Sequence, residues 1–429
     1  MALAQHINSY YAHSANAHPD YPRLEGDHQC DICVVGGGFS GLSAAIHLIK
    51  QGFSVTILEG AKIGWGASGR NGGQAIIGYN TGIGALEKKY GLDAAKDYLN
   101  LALEGCDVIR EHIEEFDIHC DFKPGHVGLA TNSFQLDAMQ HEKDVWARCG
   151  HDDLKMIKDP KSVVASDNYM GGFYDPNGGH LHPLNLALGE AAAFTKLGGT
   201  IFENSSMVKI DSTKTPVVYT ELGKVNAKYV ILTGNAYMGD QVPSLEAKRI
   251  PVSSFIITTE PLGEKRAHEI MRQDVGVTDW RYVLDYYRLT ADNRLLFGGK
   301  SYYGGKEPNG VERDMYQDML KVFPQLKGVN VDYSWGGNFA ITYSRMPDVG
   351  RLENSNVFYA QGYSGHGVTT THVMGRLLAE AVCGTAERFD IFARVKQIPF
   401  PGGKYVKVPA VVAGSWYYKM RDAIGGSKK

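Results

Sequence analysis

The sequence predicts an α/β chain: a doubly wound, Rossmann-like nucleotide-binding domain joined to a second domain built on a mostly antiparallel sheet. Three stretches carry that reading. "DICVVGGGFSGLSAAIHLIKQGFSVTILEG", residues 31–60, reads as strand, glycine turn, helix and strand. Residues 250–300 alternate apolar with polar positions and are rich in aromatics, as half-buried antiparallel strands are. "NVFYAQGYSGHGVTTTHVMGRLLAEAV", residues 356–382, is a further strand, glycine cluster and helix.

The elements follow in order. Residues 1–27 read as a polar arm. The strand after it is a continuous apolar run, as a buried parallel strand should be. The next helix places Leu42, Ala45, Ile46 and Ile49 on one face. Gly52 ends it, and "FSVTIL" is the second strand. Residues 60–84 are dense in glycine and have no period, so they form a loop; 91–118 read as helix, and a mixed region runs to about 180. "HPLNLALGEAAAFTKLGG" is a helix with Pro183 in its first turn and Gly198–Gly199 at its end. Short strands are expected at "TIFENS", "VKIDS", "VVYTEL", "KVNAKYVILTGNA", "SSFIITTE" and "RLLFGG". The resulting division is an arm (1–27), a discontinuous nucleotide domain (28–90, 160–248 and 336–390), a substrate domain (91–159 and 249–335) and a C-terminal extension (391–429).

Composition narrows the function. The 44 basic and 47 acidic residues leave a net charge of −3 with no basic patch, which argues against nucleic acid or a membrane surface as partner. No window approaches the ~18 consecutive apolar residues of a membrane span. The N-terminus lacks the pattern of a signal peptide. Six cysteines in 429 residues are too few for a disulfide scaffold, so a reducing cytoplasm is expected. Cys30 and Cys33 form a CxxC, but inside a strand they read as small apolar residues. His180 and His182 have no third ligand nearby in the sequence, and no metal is expected.

Gly36-x-Gly38-x-x-Gly41 follows a strand and opens a helix. The first glycine makes the tight turn, the second admits a pyrophosphate, and the third packs helix on strand. Glu59, at the end of the second strand, can bind both hydroxyls of an adenosine ribose and would repel a 2′-phosphate. FAD or NAD is therefore favoured over NADP. Further glycine clusters at 64–73 and 362–367 favour FAD, a large cofactor held by remote parts of a chain.

Gly36 to Gly41, Glu59, "GASGRNGGQ" (66–74), "ILTGNA" (231–236) and "GYSGHGV" (362–368), in this order, resemble the D-amino-acid-oxidase-like FAD-dependent amine oxidoreductases. "GGHLHPLNLA", "LDYYRLTADNRLLFGG", "SRMP" and "PFPGG" are similar to the γ-glutamylputrescine oxidases within that family, and the similarity runs from about residue 8 to 425. The resemblance implies a role for each glycine cluster. Gly36, Gly38, Phe39, Ser40 and Gly41 would hold the pyrophosphate, and Glu59 and Gly60 the ribose. Ser68, Arg70, Asn71, Gly72, Gly73 and Gln74 would run beside the flavin. Val208 would meet the adenine through its backbone, and Gly234 and Asn235 would close over the adenosine. Gly362, Gly365, His366, Gly367, Val368 and Thr369 would meet the isoalloxazine. Some relatives attach the flavin to a cysteine before the last glycine cluster. Residues 150–382 contain none, so non-covalent FAD is expected.

The implied reaction is oxidation of a C–N bond, with the terminal primary amine of γ-glutamylputrescine giving an aldehyde, ammonia and, with molecular oxygen as acceptor, peroxide. The alternative is another amine or amino acid, or a carrier in place of oxygen. A helix starting near Val368 would aim its positive end at the flavin's pyrimidine edge. His366 beside it would either tune the flavin or hold structure. A substrate carboxylate calls for arginine, and Arg288 and Arg345 are the candidates. Residues 279–294, which also carry Arg281, read as one strand, with Tyr286 and Arg288 on one face and Asp285 and Tyr287 on the other. Trp335 and Tyr363 would wall the amine channel.

Overall fold

Ile32 and Val34 pack into one hydrophobic cluster and Cys33 and Val35 into another, and all four are buried. A strand buried on both faces needs a layer on each. The computed structural model shows both layers; it describes residues 3–303 and 309–401, with 403, 409 and 412. The rest of the expected C-terminal extension lies outside the described residues.

In chain order the strands are β1 (Gly26–Val35), β2 (Val55–Leu58), β3 (Gln74–Ala75), β4 (Lys123–Ala130), β5 (Lys155–Ile157), β6 (Gly171–His180), β7 (Thr200–Phe202), β8 (Lys209–Asp211) and β9 (Val217–Tyr219). They continue as β10 (Gly223–Leu232), β11 (Ile250–Thr259), β12 (Gly276–Asp279), β13 (Tyr286–Leu289), β14 (Leu295–Tyr303), β15 (Val331–Ile341), β16 (Asp348–Arg351) and β17 (Val357–Gln361). The helices are α1 (Tyr10–His13), α2 (Phe39–Lys50), α3 (Ile83–Tyr90), α4 (Leu92–Phe116), α5 (Ser133–Arg148), α6 (Pro183–Lys196), α7 (Pro243–Glu246), α8 (Gly263–Ile270), α9 (Val311–Val322), α10 (Gly367–Val382) and α11 (Glu387–Ala393).

One sheet runs β16-β17-β10-β1-β2-β7, with the β8–β9 hairpin on β10. Its central pairs are parallel, and β16 closes one edge antiparallel. Side chains of α2, α4, α6 and α10 form one cluster over it. The other sheet runs β15-β11-β14-β13-β12-β4-β6-β3, with β5 on β6. It is antiparallel except where β4 meets β12. One face of it packs on α8 and α9 through Val277, Tyr287, Phe297, Met315 and Met319.

Three expectations need correction. β3 and β6 lie in stretches assigned to the nucleotide domain, yet both pair in the second sheet. The glycines of "GGFYDPNGGH" erase the alternation that marks such a strand. α4 was expected in the substrate domain but packs on α2 and α10. It approaches closely because a Cβ at Gly105 would lie only 2.5 Å from the Thr369 carbonyl oxygen. Residues 279–294 are not one strand; β12 stops at Asp279 and β13 begins at Tyr286. The arm docks on the body: Tyr11 is fully buried, and the Trp65 indole donates to the Gln5 carbonyl at 2.9 Å. His182 is the N-cap of α6, accepting from the Asn185 amide at 3.1 Å.

Candidate active site

A cavity of about 1590 Å³ is lined by residues from both sheets. Single-ligand pockets hold roughly 300–1,000 Å³, so this one has room for a large cofactor and a substrate together. The turn after β1 forms part of its wall, where Gly36, Gly38, Phe39 and Ser40 line it. Gly36 has φ +111°, and a Cβ there would lie 2.9 Å from Thr233 Oγ1. A Cβ on Gly38 would lie 2.7 Å from Ser68 Oγ, which accepts from the Phe39 amide at 3.0 Å. Gly41 sits behind the wall, where a Cβ would lie 2.0 Å from the Gly36 carbonyl oxygen. That contact is what lets α2 start directly against β1. Amides in the first turn of a helix lack carbonyl partners inside it and suit a phosphate.

Glu59 follows β2. Its Oε2 accepts from the Gly37 amide at 2.7 Å and its Oε1 from the Ala61 amide at 2.8 Å. Burial raises its pKa above the usual value, and the two amides oppose that. Gly60, Ser206, Met207, Gly234 and Asn235 line the same region. Val208 does not: it is 48% exposed, and its amide donates to the Tyr219 carbonyl at 2.8 Å. The β8–β9 pairing takes up that amide, and Ser206 and Met207 make the wall expected at 208.

The loop at 66–74 runs along the cavity. The Arg70 guanidinium lies 4.0 Å from the Trp65 ring centroid, and its buried Nη2 has no protein partner. Asn71 staples the loop, donating to the Ala67 and Ser68 carbonyls and accepting from the Gly73 amide at 2.8 Å. Gly72 faces Tyr286, whose ring would lie 2.6 Å from an added Cβ. Gly73 is behind the wall, where a Cβ would meet the Leu181 carbonyl oxygen at 2.1 Å. Gln74 is buried in it and donates to the Val277 and Tyr287 carbonyls.

Tyr363, Gly365, His366, Gly367 and Val368 also line the cavity, the Tyr363 hydroxyl lies 2.5 Å from Ser40 Oγ at the start of α2, and His366 is the N-cap of α10. Gly362 and Thr369, expected against the flavin, are not among the lining residues. Gly362 has φ +75° and faces Thr342, whose Cγ2 would lie 2.2 Å from an added Cβ. Thr369 donates to the Ile76 carbonyl at 2.7 Å.

Tyr286, Tyr363 and Arg345 line the cavity; Arg288 and Trp335 do not. Arg288 is 3% exposed and donates to the Gly72 and Leu289 carbonyls and to the Tyr11 hydroxyl. Trp335 donates to the Arg70 carbonyl at 3.0 Å. Arg281 bridges Asp279 and Asp285. Arg345 has φ +64°, and its Nη2 donates to the Tyr282 hydroxyl at 3.4 Å.

The second sheet turns further residues to the cavity that the sequence did not mark: His126, Phe173, Asp175, Thr278 and Trp280. His126 and Asp175 are direct cross-strand partners of β4 and β6, so they share a face. His126 Nε2 lies 3.2 Å from Thr278 Oγ1. Burial, then His366 and His180, push His126 down to about 3. Burial pushes Asp175 up to about 6 against an N–H donated by Asn177 at 2.9 Å.

Residues 31–381 match the family of FAD dependent oxidoreductases. The chain belongs to that family. It is 48% identical over 427 residues to gamma-glutamylputrescine oxidoreductase of Escherichia coli K12, covering 99% of this chain and 100% of that one. Glycine oxidase from Geobacillus kaustophilus superposes with a TM-score of 0.70 at 20% identity, over 83% of this chain and 95% of that one. L-amino acid deaminase from Proteus myxofaciens superposes with a TM-score of 0.72 at 16% identity, over 89% and 97%. The two superpositions are likenesses of fold. FAD is the cofactor of this oxidoreductase. The residues present fit it: glycines stand at 36 and 38 where a Cβ would crowd the turn, and Arg70 keeps an unpartnered buried donor in the wall. Among the described residues no helix is long and apolar enough to cross a membrane.

Proposed function

We propose that this chain oxidises the terminal primary amine of γ-glutamylputrescine to the aldehyde, releasing ammonia and, with oxygen as acceptor, hydrogen peroxide. The observation that carries the proposal is a single cavity lined by the glycine turn of β1–α2, the N-terminus of α10 and Arg345. The near full-length similarity to a γ-glutamylputrescine oxidoreductase supports the substrate.

Bound FAD supplies the two-electron acceptor for the C–N bond. The protein's own residues orient and desolvate the substrate. Arg345 receives the α-carboxylate of the glutamyl head, a planar anion that a guanidinium binds through two N–H bonds. Its left-handed backbone, unusual for a bulky residue, is the kind of local strain found where a side chain is held for function. Tyr282 shares that end through its hydroxyl. Phe173, Trp280 and Tyr286 line the path of the butyl chain and exclude water. The N-terminus of α10, with His366 at its cap, lines the cavity and would offer partial positive charge to bound FAD. The resulting imine hydrolyses in water to the aldehyde and ammonia. No cysteine is among the residues lining the cavity, which supports non-covalent FAD. The unpaired cysteines favour a cytoplasmic enzyme.

Purified yellow protein offered γ-glutamylputrescine, putrescine, spermidine and sarcosine in parallel should release peroxide with the first at the highest kcat/KM. Equal or better rates with another amine would replace the substrate. Flavin bleached without peroxide would replace the acceptor.

A further inference from the structure

We infer that Asp175 is the counter-charge and proton acceptor for the reacting amine, seated beside His126 on the substrate sheet. This rests on the amine-oxidising function proposed above. An alkyl amine reaches the protein as an ammonium ion, but only the neutral amine can give up a hydride from its α-carbon. The cavity must therefore hold a cation and then take a proton from it.

Four carboxylates line the cavity among the described residues, and three are engaged elsewhere. Glu59 is held by the Gly37 and Ala61 amides at the nucleotide end. Glu142 accepts from the Ile83 and Gly84 amides and the Trp146 indole. Asp279 is bridged by Arg281. Asp175 is 2% exposed and reaches the wall with only the Asn177 and Gly178 amides, from the bulge within β6, as close partners. The charged groups around it leave it without an ion pair. Arg110 on α4 pairs with Asp107 and donates to the Asn177 carbonyl. Asp153 accepts from Asn177 Nδ2 at 3.4 Å. His126 on β4 is held neutral, and Cys106 on α4 is pushed up to about 12 by burial.

A buried carboxylate without a counter-ion is costly, and the cost is removed when a cation arrives. The place is right as well. The bulge after Asp175 in β6 packs on β3, since a Cβ at Gly178 would lie 2.9 Å from the Ala75 carbonyl oxygen. β3 continues the loop at 66–74. His126 lines the same cavity as His366, the N-cap of α10. In the transfer, one N–H bond of the ammonium breaks, an O–H bond forms on Asp175, and the amine keeps its lone pair. The proton then leaves to water past His126. Nothing is oxidised or reduced in this step.

The test compares Asp175→Asn with the parent holoenzyme, using two probes. One is γ-glutamylputrescine, with Kd and the rate of flavin reduction measured anaerobically across pH. The other is γ-glutamyl-n-butylamide, which lacks the ammonium, with Ki measured by competition. The variant should bind the first at least about tenfold more weakly and lose the acid limb of the reduction rate, while Ki for the second stays within about twofold. Asp175→Glu should restore cation affinity. Equal losses for both probes, or none for either, would overturn the inference. If Asp175→Asn fails to fold, the parent alone decides: its preference for the cationic probe should fall as Asp175 is protonated between pH 8 and pH 5, and a constant preference overturns the inference. If another amine proves to be the substrate, that amine and its des-amino counterpart replace the pair. Flavin bleached by an amine indifferent to Asp175 sinks this inference alone; flavin that no amine bleaches sinks the functional proposal with it.

Discussion

The two halves of the cavity are built from different material. The half proposed for the cofactor is backbone: glycines at 36, 38, 60, 72 and 234 line the cavity where a Cβ would crowd a neighbour. The half proposed for the substrate is side chains: His126, Phe173, Asp175, Thr278 and Tyr286 share one face of the second sheet, and Trp280 follows β12. A backbone cradle tolerates no added atoms, so it constrains residue type tightly. A side-chain wall can change chemistry without moving the sheet, so it sets which amine is accepted. Substitutions in the first half should decide whether the cofactor is held. Substitutions in the second should decide what is oxidised.

Gly41→Val breaks the comparison most severely. Its Cβ would lie 2.0 Å from the Gly36 carbonyl oxygen, so α2 must move off β1. The protein should purify colourless, as the ratio of visible flavin to protein absorbance would show; a yellow variant would mean that the cradle is not limited by backbone contact. Arg345→Ala should raise KM for γ-glutamylputrescine by about 10- to 100-fold, the worth of a lost charge-assisted pair, with kcat within a few-fold. Steady-state kinetics check this. Arg288→Met sharpens the contrast between the two arginines. It strands the Gly72 and Leu289 carbonyls and the Tyr11 hydroxyl, so it should cost roughly 2–4 kcal/mol of stability and leave KM of the surviving holoenzyme unchanged.

Asp175→Asn should be a smaller and opposite change in stability. The folded pKa is raised to about 6 by burial. A raised carboxyl pKa means that its contribution to stability is fully present below the ordinary value near 4 and is lost as pH rises through 6. The variant should therefore melt higher than the parent at pH 8, by roughly 1–3 kcal/mol, with the gap closing near pH 4. A residue that merely held structure would melt lower. Tyr10→Phe removes one hydrogen bond to Asp292 and should cost only about 1 kcal/mol, which calorimetry would read as a small fall in Tm.

The same division explains what the sequence made legible. The turn at 36–41, Glu59, the loop at 66–74 and the strand–helix unit ending in α10 are contiguous, and glycine marks each, so the nucleotide half stood out. Glycine permits close approach, which points Gly362 at the cofactor; in the structure it is Thr342 that approaches it. His126 and Asp175 are far apart in sequence and meet only through the β4–β6 register. No spacing rule connects them. Arg288 stood out as an arginine on a strand, but local pattern cannot say that Tyr11, from an arm that read as a polar tail, would close over it. The alternation expected at 279–294 failed because a turn, pinned by Arg281 between Asp279 and Asp285, interrupts it.

The most direct measurement is an anaerobic titration of the purified yellow protein with γ-glutamylputrescine, following the visible flavin absorbance, with γ-glutamyl-n-butylamide as control. Full bleaching by the first and none by the second is expected. Flavin that stays oxidised with γ-glutamylputrescine while another amine bleaches it would contradict the assignment of this cavity to that substrate.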